Sequence, residues 1–166
     1  MAKEMEISGL AIDPLSSVPI VILKEVEGKN SVPIWIGLLE ASAIATVLEE
    51  IEFSRPMTHD LLKNIMETMN IVIERIVVDD LKDNTYYATI YMVADGRNYE
   101  IDSRPSDAIA IALRTQAKIF MEESVIERSR KIDLTKPEDL HSEEAKKKWA
   151  EVLENLDPDD FGKYKM

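Results

Sequence analysis

The chain has 166 residues, no cysteine, and 32 acidic against 20 basic side chains, for a net charge of -12. That length suits one ordinary domain with a sizeable core, and the lack of cysteine excludes a disulfide framework and any thiolate metal site. The acidic balance repels nucleic acid at long range, so contact with it would require a local positive focus or bound metal ions. Residues 1–9 carry Lys3, Glu4 and Glu6 where a signal peptide would be apolar. No apolar run approaches the roughly 20 residues that span a bilayer. A soluble, cytoplasmic protein with no membrane contact is the expectation.

In chain order, residues 5–12 read as a strand that Asp13-Pro14-Leu15-Ser16-Ser17 breaks. Residues 18–26, rich in Val and Ile, form a second strand. Glu27-Gly28-Lys29-Asn30 is a turn, and 31–36 form a third strand in which Pro33 argues for an edge or irregular position. From Leu38 to about residue 51 the apolar spacing turns helical, with Glu40 in the first turn, where the helix dipole favours an acid. Ser54-Arg55-Pro56 links to a second helix over 58–70, with Thr58 as the expected cap. A second meander follows over 71–81, 85–93 and 97–101, punctuated by Lys82-Asp83-Asn84 and Asp95-Gly96. Residues 118–121 suit a short strand and 122–127 a short helix. Strands in runs rather than alternating with helices predict an α+β fold, with two antiparallel three-stranded meanders and packed helices. The expected organisation is a domain over 1–130 and a helical extension over 131–166, in which Ser142 caps an amphipathic helix ending near Leu156. The basic run Lys146 to Lys148 lies among acids and reads as a solvated helix face.

The chain turns on residues 101–114. Positions 108–113 are apolar without exception, the mark of a helix buried all round. Just before them stand Asp102, Ser103, Arg104, Ser106 and Asp107, with Ser103 as the expected cap and Pro105 suited to the first turn. Ser54-Arg55-Pro56 echoes Ser103-Arg104-Pro105 ahead of another apolar stretch. Two readings stand side by side. Both segments are helix-start devices in which an arginine pairs with a local acid, or they bring charged groups together for chemistry. In the chemical reading Asp60, Asp102 and Asp107 are hard oxygen ligands for Mg²⁺ or Mn²⁺. His59 is a general base or ligand, and Arg55 and Arg104 clamp a phosphate. Trp35 and Trp149 read as packing residues. Tyr87 and Tyr91 share one strand face with Tyr86 on the other, which strand propensity alone explains. No Gly-rich phosphate loop, Ser-His-Asp signature or Cys-His zinc spacing is present.

Four segments in order resemble the bifunctional nuclease (BFN) domain family over residues 5–130. They are Pro33-Ile34-Trp35-Ile36-Gly37 with Glu40-Ala41; Arg55-Pro56-Met57-Thr58-His59-Asp60-Leu61; Leu81-Lys82-Asp83-Asn84-Thr85-Tyr86-Tyr87-Ala88; and Asp102-Ser103-Arg104-Pro105-Ser106-Asp107-Ala108-Ile109-Ala110. Met57 stands where the family usually has leucine, and the tail does not resemble the UVR-type segment that many members carry. The resemblance implies an α+β domain that self-associates as a homo-oligomer and a nuclease acting on DNA and RNA; the single-stranded form of that partner is an expectation from the residues, with Tyr86, Tyr87 and Tyr91 as a stacking surface. On the matched positions the expected roles are metal binding for Asp60, Asp102 and Asp107, catalysis by His59, Asp102 and Asp107, and phosphate binding by Arg55 and Arg104. The alternative is a non-catalytic, self-associating module that binds a small anionic or phosphorylated ligand.

Overall fold

The computed structural model describes residues 1–14 and 16–129. The first meander consists of β1 (Ala2–Ile12), β2 (Pro19–Glu25) and β3 (Ser31–Trp35), all antiparallel. The second consists of β4 (Val72–Lys82), β5 (Thr85–Ala94) and β6 (Arg97–Ser103), also antiparallel. Its two hairpins turn on residues with positive φ, Asp83 and Asn84 in one and Asp95 and Gly96 in the other. That backbone matches the right-handed twist of the flanking strands.

The two meanders expected from the sequence are halves of one sheet. The short strand β7 (Lys118–Glu122) lies between them, antiparallel to β1 and parallel to β4. The result is a mixed seven-stranded sheet in the order β3-β2-β1-β7-β4-β5-β6. β7 can do this because Ile119 and Met121 face the core while the strand offers hydrogen bonds on both edges. The α+β class holds, and the joining of the meanders is the correction.

Four helices complete the described fold: α1 (Leu38–Leu48), α2 (Thr58–Thr68), α3 (Pro105–Thr115) and α4 (Glu123–Ser129). The main core lies on one face of the sheet. Val21, Leu23, Ile76 and Val78 there meet Ile44 of α1, Ile109 of α3 and Val125 of α4. Strand alternation sends Ile20 and Ile22 to the opposite face, where they form a small second cluster with Ala11 and Trp35. α3 is the buried centre, and Ala108 to Ala112 are at most 1% exposed. Its alanines let α1 and the sheet approach closely. α2 is the contrary case, packing on α3 with Met66 as its buried residue and exposing Leu61, Leu62 and Ile65.

The sheet curls. The Tyr86 hydroxyl on β5 donates to the Pro33 carbonyl on β3 at 3.3 Å, although four strands separate them in the sheet order. This curl brings the end of β3, which feeds α1, beside the end of β6, which feeds α3. No helix among the described residues is long and apolar enough to cross a membrane. The expected helix over 142–156, with the rest of the 131–166 extension, lies outside the described residues.

Candidate functional site

Three helices begin at one place, and each carries an acid at its third helical position: Glu40 in α1, Asp60 in α2 and Asp107 in α3. An acid there favours the positive end of the helix dipole. None of the three helices has a side-chain cap from the residue before it. The expected caps Thr58 and Ser103 are displaced by one position: Met57 and Arg104 occupy the capping sites, and the Ser103 hydroxyl donates to the Arg104 carbonyl at 2.9 Å. Asp60 reaches back instead, accepting the Met57 backbone N–H at 3.0 Å.

The acids meet two arginines. Arg104 donates through Nε to Asp107 Oδ2 at 2.7 Å and through Nη1 to Glu40 Oε1 at 2.8 Å, which ties the start of α3 to the start of α1. Asp107 spends its other oxygen on His59: Nε2 lies 3.0 Å from Oδ1, which ties α3 to α2. Arg114, on the inner side of α3 and only 6% exposed in its side chain, donates through Nε to Asp60 Oδ1 at 2.7 Å. Its Nη1 also donates to the carbonyls of Ala43 at 2.9 Å and Ala110 at 3.0 Å. A buried guanidinium is tolerated because its donors are satisfied in this way.

Burial works against ionisation of Asp107, but hydrogen bonds from Arg104 and His59 outweigh it and hold the carboxyl below its usual range. Burial likewise opposes the charge on Asp60, and Arg114 with the Met57 N–H overcomes it. Both groups are therefore carboxylates at neutral pH.

All of these groups except Asp60 line a cavity of about 610 Å³. His59, Glu40, Arg104, Asp107 and Arg114 form its polar wall, and Leu39, Phe53, Leu62, Ile90, Ile101 and Ile111 its apolar wall. A volume of that order is ordinary for a ligand site.

Of the residues expected from sequence, His59, Arg104 and Asp107 come together in one hydrogen-bonded chain. Asp60 lies one residue from His59 but is committed to Arg114. Asp102 belongs to the cavity wall and sits opposite Thr89 in the β5–β6 ladder. Alternation along β6 turns its side chain to the face opposite that of Ile101 and Ser103. Arg55 is exposed in the linker before α2, does not line the cavity, and makes no hydrogen bond or ion pair among the described residues. Asp60, Asp102 and Asp107 thus do not gather, and among the described residues no group of three or more acids and histidines has metal-holding spacing. Two residues of the site, Glu40 and Arg114, carried no role in the sequence reading. The available signal was the acid at the third position of all three helices, together with an arginine at the end of an otherwise apolar helix.

The bifunctional nuclease domain matches residues 21–133, which hold every residue of the cavity wall. An uncharacterized protein of Mycobacterium tuberculosis (strain ATCC 25618 / H37Rv) is 32% identical over 165 residues, covering 95% of this chain and 97% of its own. Bifunctional nuclease 1 of Oryza sativa subsp. indica is 26% identical over 103 residues, which is 60% of this chain but 31% of the rice protein. Bifunctional nuclease 2 of Oryza sativa subsp. japonica is 22% identical over 111 residues, 64% of this chain and 34% of the rice protein. With its motifs at the starts of three converging helices and the domain match across the whole cavity, the chain belongs to the bifunctional nuclease domain family.

Proposed function

We propose that the cavity binds and hydrolyses the phosphodiester backbone of DNA and RNA, with His59 as general base and Arg104 on the phosphate. The observation that carries this reading is the Arg104–Asp107–His59 chain, which joins the starts of α2 and α3 at the cavity wall. Asp107 accepts the Nε2 proton of His59, which leaves Nδ1 as the lone-pair nitrogen. Nδ1 makes no hydrogen bond among the described residues, and in this reading it takes the proton of the attacking water. Asp107 fixes the tautomer and steadies the imidazolium that forms. Arg104 is anchored by Asp107 through Nε, and its outer nitrogens, Nη2 and the Nη1 that Glu40 holds, serve charge developing on the phosphate oxygens.

The three aspartates expected to hold Mg²⁺ or Mn²⁺ do not fit a shared ion in this arrangement. Asp60 and Asp107 have both oxygens engaged, and Asp102 belongs to the opposite strand face. The chemistry therefore rests on His59, Asp107 and Arg104. The test is cleavage of labelled single-stranded DNA and RNA in Mg²⁺, in Mn²⁺ and in chelator. In any condition where the wild type cleaves, His59→Ala should lose a factor of about 10² to 10⁴ and Asp107→Asn a comparable one. Variants that cleave like the wild type would assign the activity elsewhere.

A second reading rests on the apolar wall, which suits a small ligand more than a bare sugar–phosphate chain. Here the site binds a phosphorylated ligand without cleaving it. Anion-dependent thermal stabilisation without cleavage in any condition favours this second reading. Self-association belongs to either reading. β6 is an edge strand with residues 97–102 exposed, and α2 presents Leu61 and Ile65 to solvent, with Met69 just beyond its end.

A further inference from the structure

A second cavity, of about 650 Å³, is also lined by the Glu40–Arg104 ion pair. Trp35 and Tyr86 line it with Gly37 and Asn84, and Glu40 and Arg104 line both this cavity and the one that holds His59. That ion pair is the lining which the two cavities share. Its arginine is 65% exposed, so it is anchored by carboxylates rather than by packing. The carboxylate that closes it, Glu40 Oε1, sits 2.8 Å from Nη1 of the same guanidinium proposed to take a phosphate. A phosphate offers that fork the same kind of oxygen.

Glu40 is held there by a detail of α1. Its carboxylate folds back over Gly37, so closely that a Cβ there would clash with Glu40 Oε2. A side chain at position 37 would therefore make the flexible end of Glu40 shift from its place against Arg104.

We infer that the two cavities are halves of one trough for a single-stranded oligonucleotide, divided at rest by Glu40, whose carboxylate occupies the position that a backbone phosphate takes on Arg104. This rests on the phosphate-binding reading above. It also addresses the acidic balance of the chain: the local positive charge is present but is covered by an internal acid until a strand displaces it. The far half supplies aromatic walls, on which bases of any sequence stack. Trp35 is pinned for that role by its indole N–H, which donates to Asp13 at 3.1 Å. A mononucleotide would occupy one half and leave the partition closed.

The experiment is a binding series with thymidine monophosphate, a dinucleotide and longer phosphorothioate-linked oligothymidylates, which resist cleavage. Binding is followed through the fluorescence of Trp35 in a Trp149→Phe background, since the chain has 2 tryptophans. Affinity should rise from mononucleotide to oligonucleotide, and only compounds that cross the partition should quench Trp35. Glu40→Gln should tighten oligonucleotide binding roughly fivefold, the factor for removing one like charge about 4 Å from a phosphate in water. Gly37→Ala, which pushes the carboxylate aside without changing the charge, should act in the same direction. Equal affinity for mononucleotide and oligonucleotide, or no gain in Glu40→Gln, overturns the trough while leaving phosphate binding intact. If no phosphate compound binds, both proposals fall. The predicted series without cleavage by the wild type supports the trough and removes hydrolysis alone.

Discussion

Two aspartates at the same position of their helices have different roles in the structure, and the difference lies in their partners. Asp60 neutralises the buried Arg114, whereas Asp107 links Arg104 to His59. Asp60 should therefore matter for stability and Asp107 for chemistry. Because the folded-state pKa of Asp60 is depressed, its contribution is full above the ordinary carboxylate value and is lost as pH falls through the depressed one. Asp60→Asn should cost about 1–2 kcal/mol at neutral pH, kept at that level because the side chain is 37% exposed. The gap from wild type should narrow in acid, as measured by urea unfolding at the two pH values; a gap independent of pH would place the effect in packing rather than in charge. No sequence argument separates Asp60 from Asp107, since each lies three residues after a helix cap. Which arginine each acid meets is decided by residues distant in the chain.

At the scale of elements, the converging helix starts were legible in part. The repeated Ser-Arg-Pro and the polar head of a fully apolar helix pointed to α2 and α3. The dipole argument also placed Glu40 correctly in the first turn of α1, but it gave no reason to bring α1 to the same spot. That meeting follows from the curl of the sheet and from β7, a five-residue strand that pairs with both meanders. Periodicity finds such a strand but carries no information about its partners. The unequal packing of the helices has a dynamic consequence. α3 is enclosed, while α2 buries only Met66, so α2 should open locally at far lower free energy. Hydrogen exchange should show the α3 amides protected to near the global limit and the α2 amides exchanging much faster; equal protection would contradict this. Gly37→Ala should cost under about 1 kcal/mol, because only the end of the flexible Glu40 side chain must move and Gly37 already has extended backbone angles. A large loss in thermal denaturation would mean that the Glu40–Arg104 tie is a structural brace.

For the whole molecule, the arrangement reconciles a net charge of -12 with a family whose named members include nucleases. Long-range attraction is absent, so binding must come from short-range contacts inside the trough and should be slow to associate for its affinity. The fold class was readable because strands come in runs. The union of the two runs into one sheet was not, since it depends on a parallel pairing between β4 and β7 that no turn encodes. The central claim is that His59, oriented by Asp107, faces the bound strand. It is tested most directly by the imidazole NMR signals of His59, one of 2 histidines in the chain and identified by their loss in His59→Ala. Titration with a cleavage-resistant oligothymidylate should move those signals saturably, with the same midpoint as binding. Asp107→Asn should change both their starting position and their response. An oligonucleotide that binds the protein while the His59 signals stay where they were would contradict the account.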